Sequence, residues 1–248
     1  MTADEWTTCD NPRAMFEFVR GRASTRQYRF FGAACCRAVW DLLPDDRLRA
    51  AVVCVEEYAA GAASKQSLAA CQSRARLAIQ ELALQARAKT VSQEVAQQPA
   101  AERDWSPYFA AYRTATAAGA VALVARPTER AGALAESVLQ AFDLVVQAQT
   151  AGRPVKDNYK RLFAGHAAVV RCIFGNPFQP VTFDPSWRTE SAVALARGMY
   201  DSRDFSAAPA LADALEAGGC DDAAVLGHLR GGGGHVRGCW VVDGVLGL

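Results

Sequence analysis

Apolar residues recur at three- and four-residue steps along most of the chain, the spacing of one helix face. Asp10-Asn11-Pro12 reads as a helix start, with Met15, Phe16 and Val19 as its apolar patch and Gly21 as its stop. Ser24 can cap a second helix whose residues Tyr28, Phe31, Cys35, Val39 and Leu42 share a face, widened by Phe30, Ala34 and Ala38. This helix is expected to be central, with Phe31, Val39 and Trp40 in the core. After Pro44-Asp45-Asp46, the residues Leu48, Val52, Val55 and Tyr58 repeat the spacing up to Gly61. One long helix is predicted from Ser64 to about Gln97. Gln98-Pro99 and Ser106-Pro107 bracket a connector that holds Trp105, and helices over 108–125 and 128–150 follow. The next helix places Val155, Tyr159, Leu162, His166, Val169 and Ile173 on one face and ends at Gly175.

The pattern then changes. Residues 176–188 hold three prolines and three aromatics, and cannot be regular helix. They read as an extended, aromatic-anchored strap. Three short helices are predicted over 189–200, 209–217 and 221–230, followed by the tetraglycine Gly231–Gly234. The final segment is ambiguous. Asp243-Gly244 carries a hairpin signal, whereas Val236, Trp240 and Leu246 can share a helix face, and the absence of partner strands elsewhere favours helix. The fold class expected is all-α, about ten helices in a bundle or irregular array. Residues 1–175 form the Ala-rich body and 176–248 a C-terminal helical cap packed with it.

Composition supports this picture. Alanine makes up about a fifth of the chain, and it is the best helix former. Hydrophobic residues are 51% and charged residues 21%, which are globular proportions. Lys+Arg 27 against Asp+Glu 26 leaves a net charge of +1, which argues against a whole-surface match to nucleic acid. The local basic run Arg74, Arg76, Arg87 and Lys89 lacks interleaved aromatics and reads as a solvated helix face. The N-terminus is acidic, unlike a secretory signal, and no uncharged stretch reaches the length of a spanning helix. A cytoplasmic protein is expected, with no membrane partner. Eight cysteines without a C-x-x-C pair read as reduced, mostly buried thiols.

Several segments resemble recurring blocks of a large paralogous family of planctomycete bacteria. They are Gly175-Asn176-Pro177-Phe178, Val181 to Trp187, Leu211 to Asp221, Phe31 to Trp40 and, most specifically, His235-Val236-Arg237-Gly238-Cys239-Trp240-Val241-Val242-Asp243. The resemblance covers roughly the first 60 and last 75 residues and brings no catalytic residue or substrate. The chain departs from the pattern at Leu229, where a Cys often follows the His, and at Gly244, where Leu is common.

Candidate chemistry concentrates at the C-terminus. His235, Arg237, Trp240 and Asp243 are the candidate binding residues, offering donors, an aromatic face and a carboxylate beside a mobile glycine run. Cys220, His228, His235 and Cys239 form an alternative metal set, because His235 and Cys239 would share a helix face at i, i+4. The spacing matches no recognised finger and Leu229 breaks the local Cys pattern. The blander assignment makes Asp221 a helix N-cap and puts Cys220 and Cys239 in the core. No metal or cofactor is therefore expected. The tetraglycine lacks the Lys-Ser/Thr pair and preceding strand of a phosphate loop. His166 on an apolar face reads as a buried residue. No catalytic triad, H-E-x-x-H or G-x-S-x-G occurs. The sequence favours a non-catalytic helical binding or scaffolding module with a protein partner. The alternative is a metal-dependent enzyme or metal-binding regulator built on the His/Cys cluster.

Overall fold

The computed structural model describes residues 1–90, 106–152 and 155–248. Its described residues form twelve α-helices and no strand. These are α1 (Ala3–Thr8), α2 (Pro12–Val19), α3 (Thr25–Arg37), α4 (Asp46–Ala59), α5 (Lys65–Thr90), α6 (Ser106–Val124), α7 (Ala131–Thr150), α8 (Val155–Phe174), α9 (Glu190–Ser202), α10 (Ala208–Ala217), α11 (Ala223–Arg230) and α12 (Trp240–Leu246). The all-α expectation holds, and the final segment is a helix. The Gln98–Trp105 connector lies outside the described residues. Among those described, no helix is long and apolar enough to cross a membrane. All eight cysteines carry free thiols.

Local chemistry sets most helix starts. Ser24 and Gln27 form a reciprocal capping box for α3, and Asn11, Asp45 and Thr189 cap α2, α4 and α9 through their side-chain oxygens. Helix α1 went unforeseen, although Thr2 and Glu5 carry the capping-box spacing that announces it. Asp222, not Asp221, caps α11, accepting from the backbone N–H groups of Ala224 and Val225.

The chain divides into two compact units. One is Ser24–Tyr159; the other joins Met1–Ala23 to Lys160–Leu248. The division thus falls at Lys160 rather than at residue 176, and the first 23 residues side with the C-terminal part.

In the unit Ser24–Tyr159, α3 is central as expected and packs on α4, α6 and α7. Gly32 permits the close approach: a Cβ there would lie 3.0 Å from Val124 and 3.2 Å from Val138. Phe31 is buried and its ring sits 6.2 Å from that of Phe142. The buried Arg29 donates to the carbonyls of Arg126 (3.2 Å) and Thr128 (2.6 Å), fixing the connection around Pro127. Arg37 holds the buried Glu56 carboxylate bidentately at 2.7 and 2.8 Å, tying α3 to α4. Two expectations need correction here. The helix ends at Arg37, leaving Ala38 exposed, and the chain tightens into a 3-10 turn over Trp40–Leu42. Trp40 is accordingly half-buried, its ring between the guanidinium groups of Arg37 (4.4 Å) and Arg49 (5.7 Å), rather than in the core.

In the other unit, Arg171 near the end of α8 donates to the carbonyls of Trp6 (3.1 and 2.9 Å) and Cys9 (2.6 Å). These bonds satisfy carbonyls that the end of α1 leaves over. Phe16 meets Phe174 edge-on at 6.0 Å, and Phe18 stacks on Phe178 at 5.2 Å. The strap is anchored at its other end by Phe183, which contacts Trp187 and Trp240 at 5.9 and 6.0 Å. Phe183 also requires a glycine at position 244. A Cβ there would come within 2.2 Å of the Phe183 ring. Arg188 adds a bond to the Gly244 carbonyl at 3.0 Å. His166 is buried, as its apolar face predicted, and burial pushes its imidazole down to about 4.

Three outcomes follow from this packing. Phe31→Ala is expected to cost about 3–5 kcal/mol in denaturant melts, the range for a fully buried ring. Gly244→Ala must displace a ring pinned between two tryptophans, and a loss of about 1–3 kcal/mol is expected. A histidine whose folded pKa is depressed binds fewer protons than the unfolded chain between about pH 4 and pH 6.5. Stability should therefore fall as pH drops through that window, by up to about 3 kcal/mol. His166→Leu should flatten the dependence, as read from melts across the same range.

A candidate metal centre

Four side chains converge in the unit that contains the C-terminus. Cys172 comes from the last turns of α8, His228 from the last turn of α11, His235 from the segment after the tetraglycine, and Cys239 from the N-cap of α12. Their ligand atoms all lie within 4.8 Å of one another. His228 Nε2 is 3.3 Å from Cys239 Sγ, and His235 Nδ1 is 3.9 Å from Cys239 Sγ and 4.0 Å from Cys172 Sγ. Both sulfurs are buried and both histidines half-buried. No other group of three or more His, Cys, Asp or Glu side chains converges this way among the described residues.

The local sequence explains each placement. Gly175 ends α8 in a left-handed conformation (φ 65°), and the Trp240 ring lies 3.4 Å from where its Cβ would be. That contact brings the start of α12 to the end of α8, and so Cys239 to Cys172. Gly238 (φ 89°) turns the chain between His235 and α12, a conformation that favours glycine. Cys239 occupies the N-cap position but makes no capping bond with its side chain, leaving the sulfur to face the imidazoles. Trp240 flanks the site, 5.5 Å from His228, and Phe205 lies 6.2 Å from His235.

The two buried sulfurs lie within 4.8 Å of each other and are shifted in opposite directions. The contact with Cys239, followed by burial, holds the Cys172 thiol well above the ordinary range. Burial alone would raise Cys239 too. Contacts with Cys172, His228 and His235 outweigh it and hold Cys239 well below that range. His235 directs Nδ1 to the sulfurs, while its Nε2 is buried with no hydrogen-bond partner.

The sequence-derived sets map onto this arrangement in part. His228, His235 and Cys239 of the alternative metal set come together. Cys220 does not join them; it is buried in the turn between α10 and α11. Cys172 takes the fourth place, 56 residues before His228, beyond the reach of any local spacing rule. Leu229, at the position where the resemblance leads one to look for Cys, is core. Of the candidate binding residues, His235 belongs to the cluster and Trp240 walls it. Arg237 lies over the Tyr200 ring at 4.5 Å, and Asp243 is buried, close enough for its charge to contribute to raising Cys172.

Tetrahedral zinc, with bonds of about 2.3 Å to sulfur and about 2.0–2.1 Å to nitrogen, separates its donors by about 3.3–3.8 Å. The separations of 3.3, 3.9 and 4.0 Å lie at or just above that range, and with all four donors within 4.8 Å of one another a contraction of about 1 Å at most would complete a Cys2His2 set. Such close donors suit a single ion better than a two-iron cluster, whose ligand pairs sit on different irons. No family model, curated protein or solved structure matches the chain.

Proposed function

We propose that this chain is a non-catalytic helical module whose C-terminal unit is organised around one structural zinc ion held by Cys172, His228, His235 and Cys239. The observation that carries the reading is the convergence of two thiols and two imidazoles, drawn from four separate places, to within 4.8 Å. Zinc is the ion that best suits a mixed sulfur–nitrogen set of this size. Four protein ligands leave no position for a water or substrate, which favours a structural over a catalytic ion. The ion ties α8, α11 and α12 across the exposed glycines Gly231–Gly234. A reducing cytoplasm would keep both thiols available. Two of the four ligands fall inside His235–Asp243, the segment on which the planctomycete resemblance chiefly rests. A partner-binding role for the other unit is supported by Tyr108, Phe109 and Tyr112, three exposed rings at the start of α6.

Protein purified without chelator is expected to carry one zinc per chain by elemental analysis. Cys172→Ser should abolish binding, whereas Cys220→Ser should leave it intact, separating this set from the one read off local spacing. Cobalt substitution of the unmutated chain gives a readout independent of variant folding. A Cys2His2 site produces intense tetrahedral visible bands. A metal-free chain that also gives no such bands, or zinc retained by Cys172→Ser, overturns the reading.

A further inference from the structure

We infer that Cys172 and Cys239 are a redox pair, which a hydroperoxide closes into a disulfide with expulsion of the zinc ion. This rests on the metal reading above and adds a regulated state to the same site. The two sulfurs lie within 4.8 Å of each other and come from different elements, α8 and the N-cap of α12. Cys35 and Cys36, by contrast, are neighbours within one helix and could bridge only with strain.

Closing the bond requires Cys239 to move toward Cys172, and the chain before it has slack. Gly231–Gly234 are exposed, and a Cβ at Gly232, Gly233 or Gly234 would meet nothing within 4 Å. His235 follows this tether, and its buried Nε2 has no hydrogen-bond partner to hold the ring. The half-buried histidines form the wetter side of a site whose sulfurs are buried. A water-sized oxidant is the kind that can enter there.

The step balances with peroxide as oxidant. One thiolate sulfur attacks a peroxide oxygen and the O–O bond breaks, giving a sulfenic acid and a hydroxide that takes a proton to become water. The second thiolate attacks the sulfenic sulfur, forming the S–S bond and releasing a second hydroxide, which is also protonated. Each sulfur gives up one electron, and the two electrons reduce the peroxide. Zinc remains divalent throughout. It keeps only the two imidazoles and leaves.

The test treats the reduced, zinc-loaded full chain with hydrogen peroxide in the presence of a metallochromic zinc indicator. Thiols are counted and cross-links mapped by mass spectrometry. One zinc should appear and two thiols disappear per chain, with a Cys172–Cys239 cross-linked peptide, and dithiothreitol plus zinc should restore the starting state. The Cys54→Ser, Cys71→Ser double variant removes a second pair of interacting thiols, on α4 and α5. It should release zinc as the unmutated chain does. Retention of zinc while other thiols oxidise, or release with sulfinic acids and no cross-link, overturns the inference. Absence of zinc from the reduced chain overturns the metal reading, and the release step with it. The cross-link map on that sample still decides whether the two sulfurs pair.

Discussion

The C-terminal helices depend on the packing of two buried sulfurs and two half-buried imidazoles within 4.8 Å of one another. Each thiol can donate one hydrogen, and each neutral imidazole has one donor and one acceptor nitrogen. Contacts with Cys172, His228 and His235 draw the Cys239 thiol below its ordinary range, while Cys239 and burial push the Cys172 thiol above it. A thiolate buried there is costly unless it is paired. A divalent cation would supply one positive centre and satisfy all four donors at once. The geometry around the site follows from that constraint: the turn at Gly238, the close approach of Trp240 to Gly175, and the uncapped start of α12 all bring donor atoms inward.

The two units are stabilised by different means. In Ser24–Tyr159 the small residues carry the packing. Alanines on α6 and α7 and Gly32 on α3 let helix axes approach closely, and buried polar groups are handled by pairs such as Arg37–Glu56. The other unit has short helices. α10, α11 and α12 have only ten, eight and seven residues, lengths that are marginal without tertiary support. They are joined by glycine-rich turns and pinned by aromatic contacts from the strap. A cross-link among α8, α11 and α12 has most to contribute in such a unit, as in small domains whose core alone is insufficient.

Helix periodicity made most of the fold legible, because an amphipathic helix writes its buried face into the sequence every three or four residues. The exceptions have physical causes. Trp40 is expected in the core, yet two arginines compete for its ring and the helix ends before reaching it. Helix α1 is too short to show a period, and only the Thr2–Glu5 capping pair marks it. Three of the four converging donors were visible as a cluster within a short stretch of chain. The fourth was not, because Cys172 sits in an apolar helix where a thiol passes for a small hydrophobe. Local spacing offered Cys220 in its place, and nothing in the linear pattern distinguishes the two.

That substitution shows how the site depends on the fold. A finger-type motif carries its ligands within one short hairpin or helix, so spacing alone identifies it. Here α8 supplies one sulfur and the segment 228–239 supplies the other three donors. The helix that carries Cys172 also carries Arg171, whose guanidinium bonds the carbonyls of Trp6 and Cys9. Adjacent residues on one helical turn therefore engage both ends of the chain: Arg171 fixes the N-terminal helix, and Cys172 meets the C-terminal donors. Anything that shifts the end of α8, whether loss of a donor or closure of a sulfur–sulfur bond, acts on both contacts through a single rigid element. The first and last helices of this unit, far apart in sequence, thus meet two neighbouring side chains of one helix.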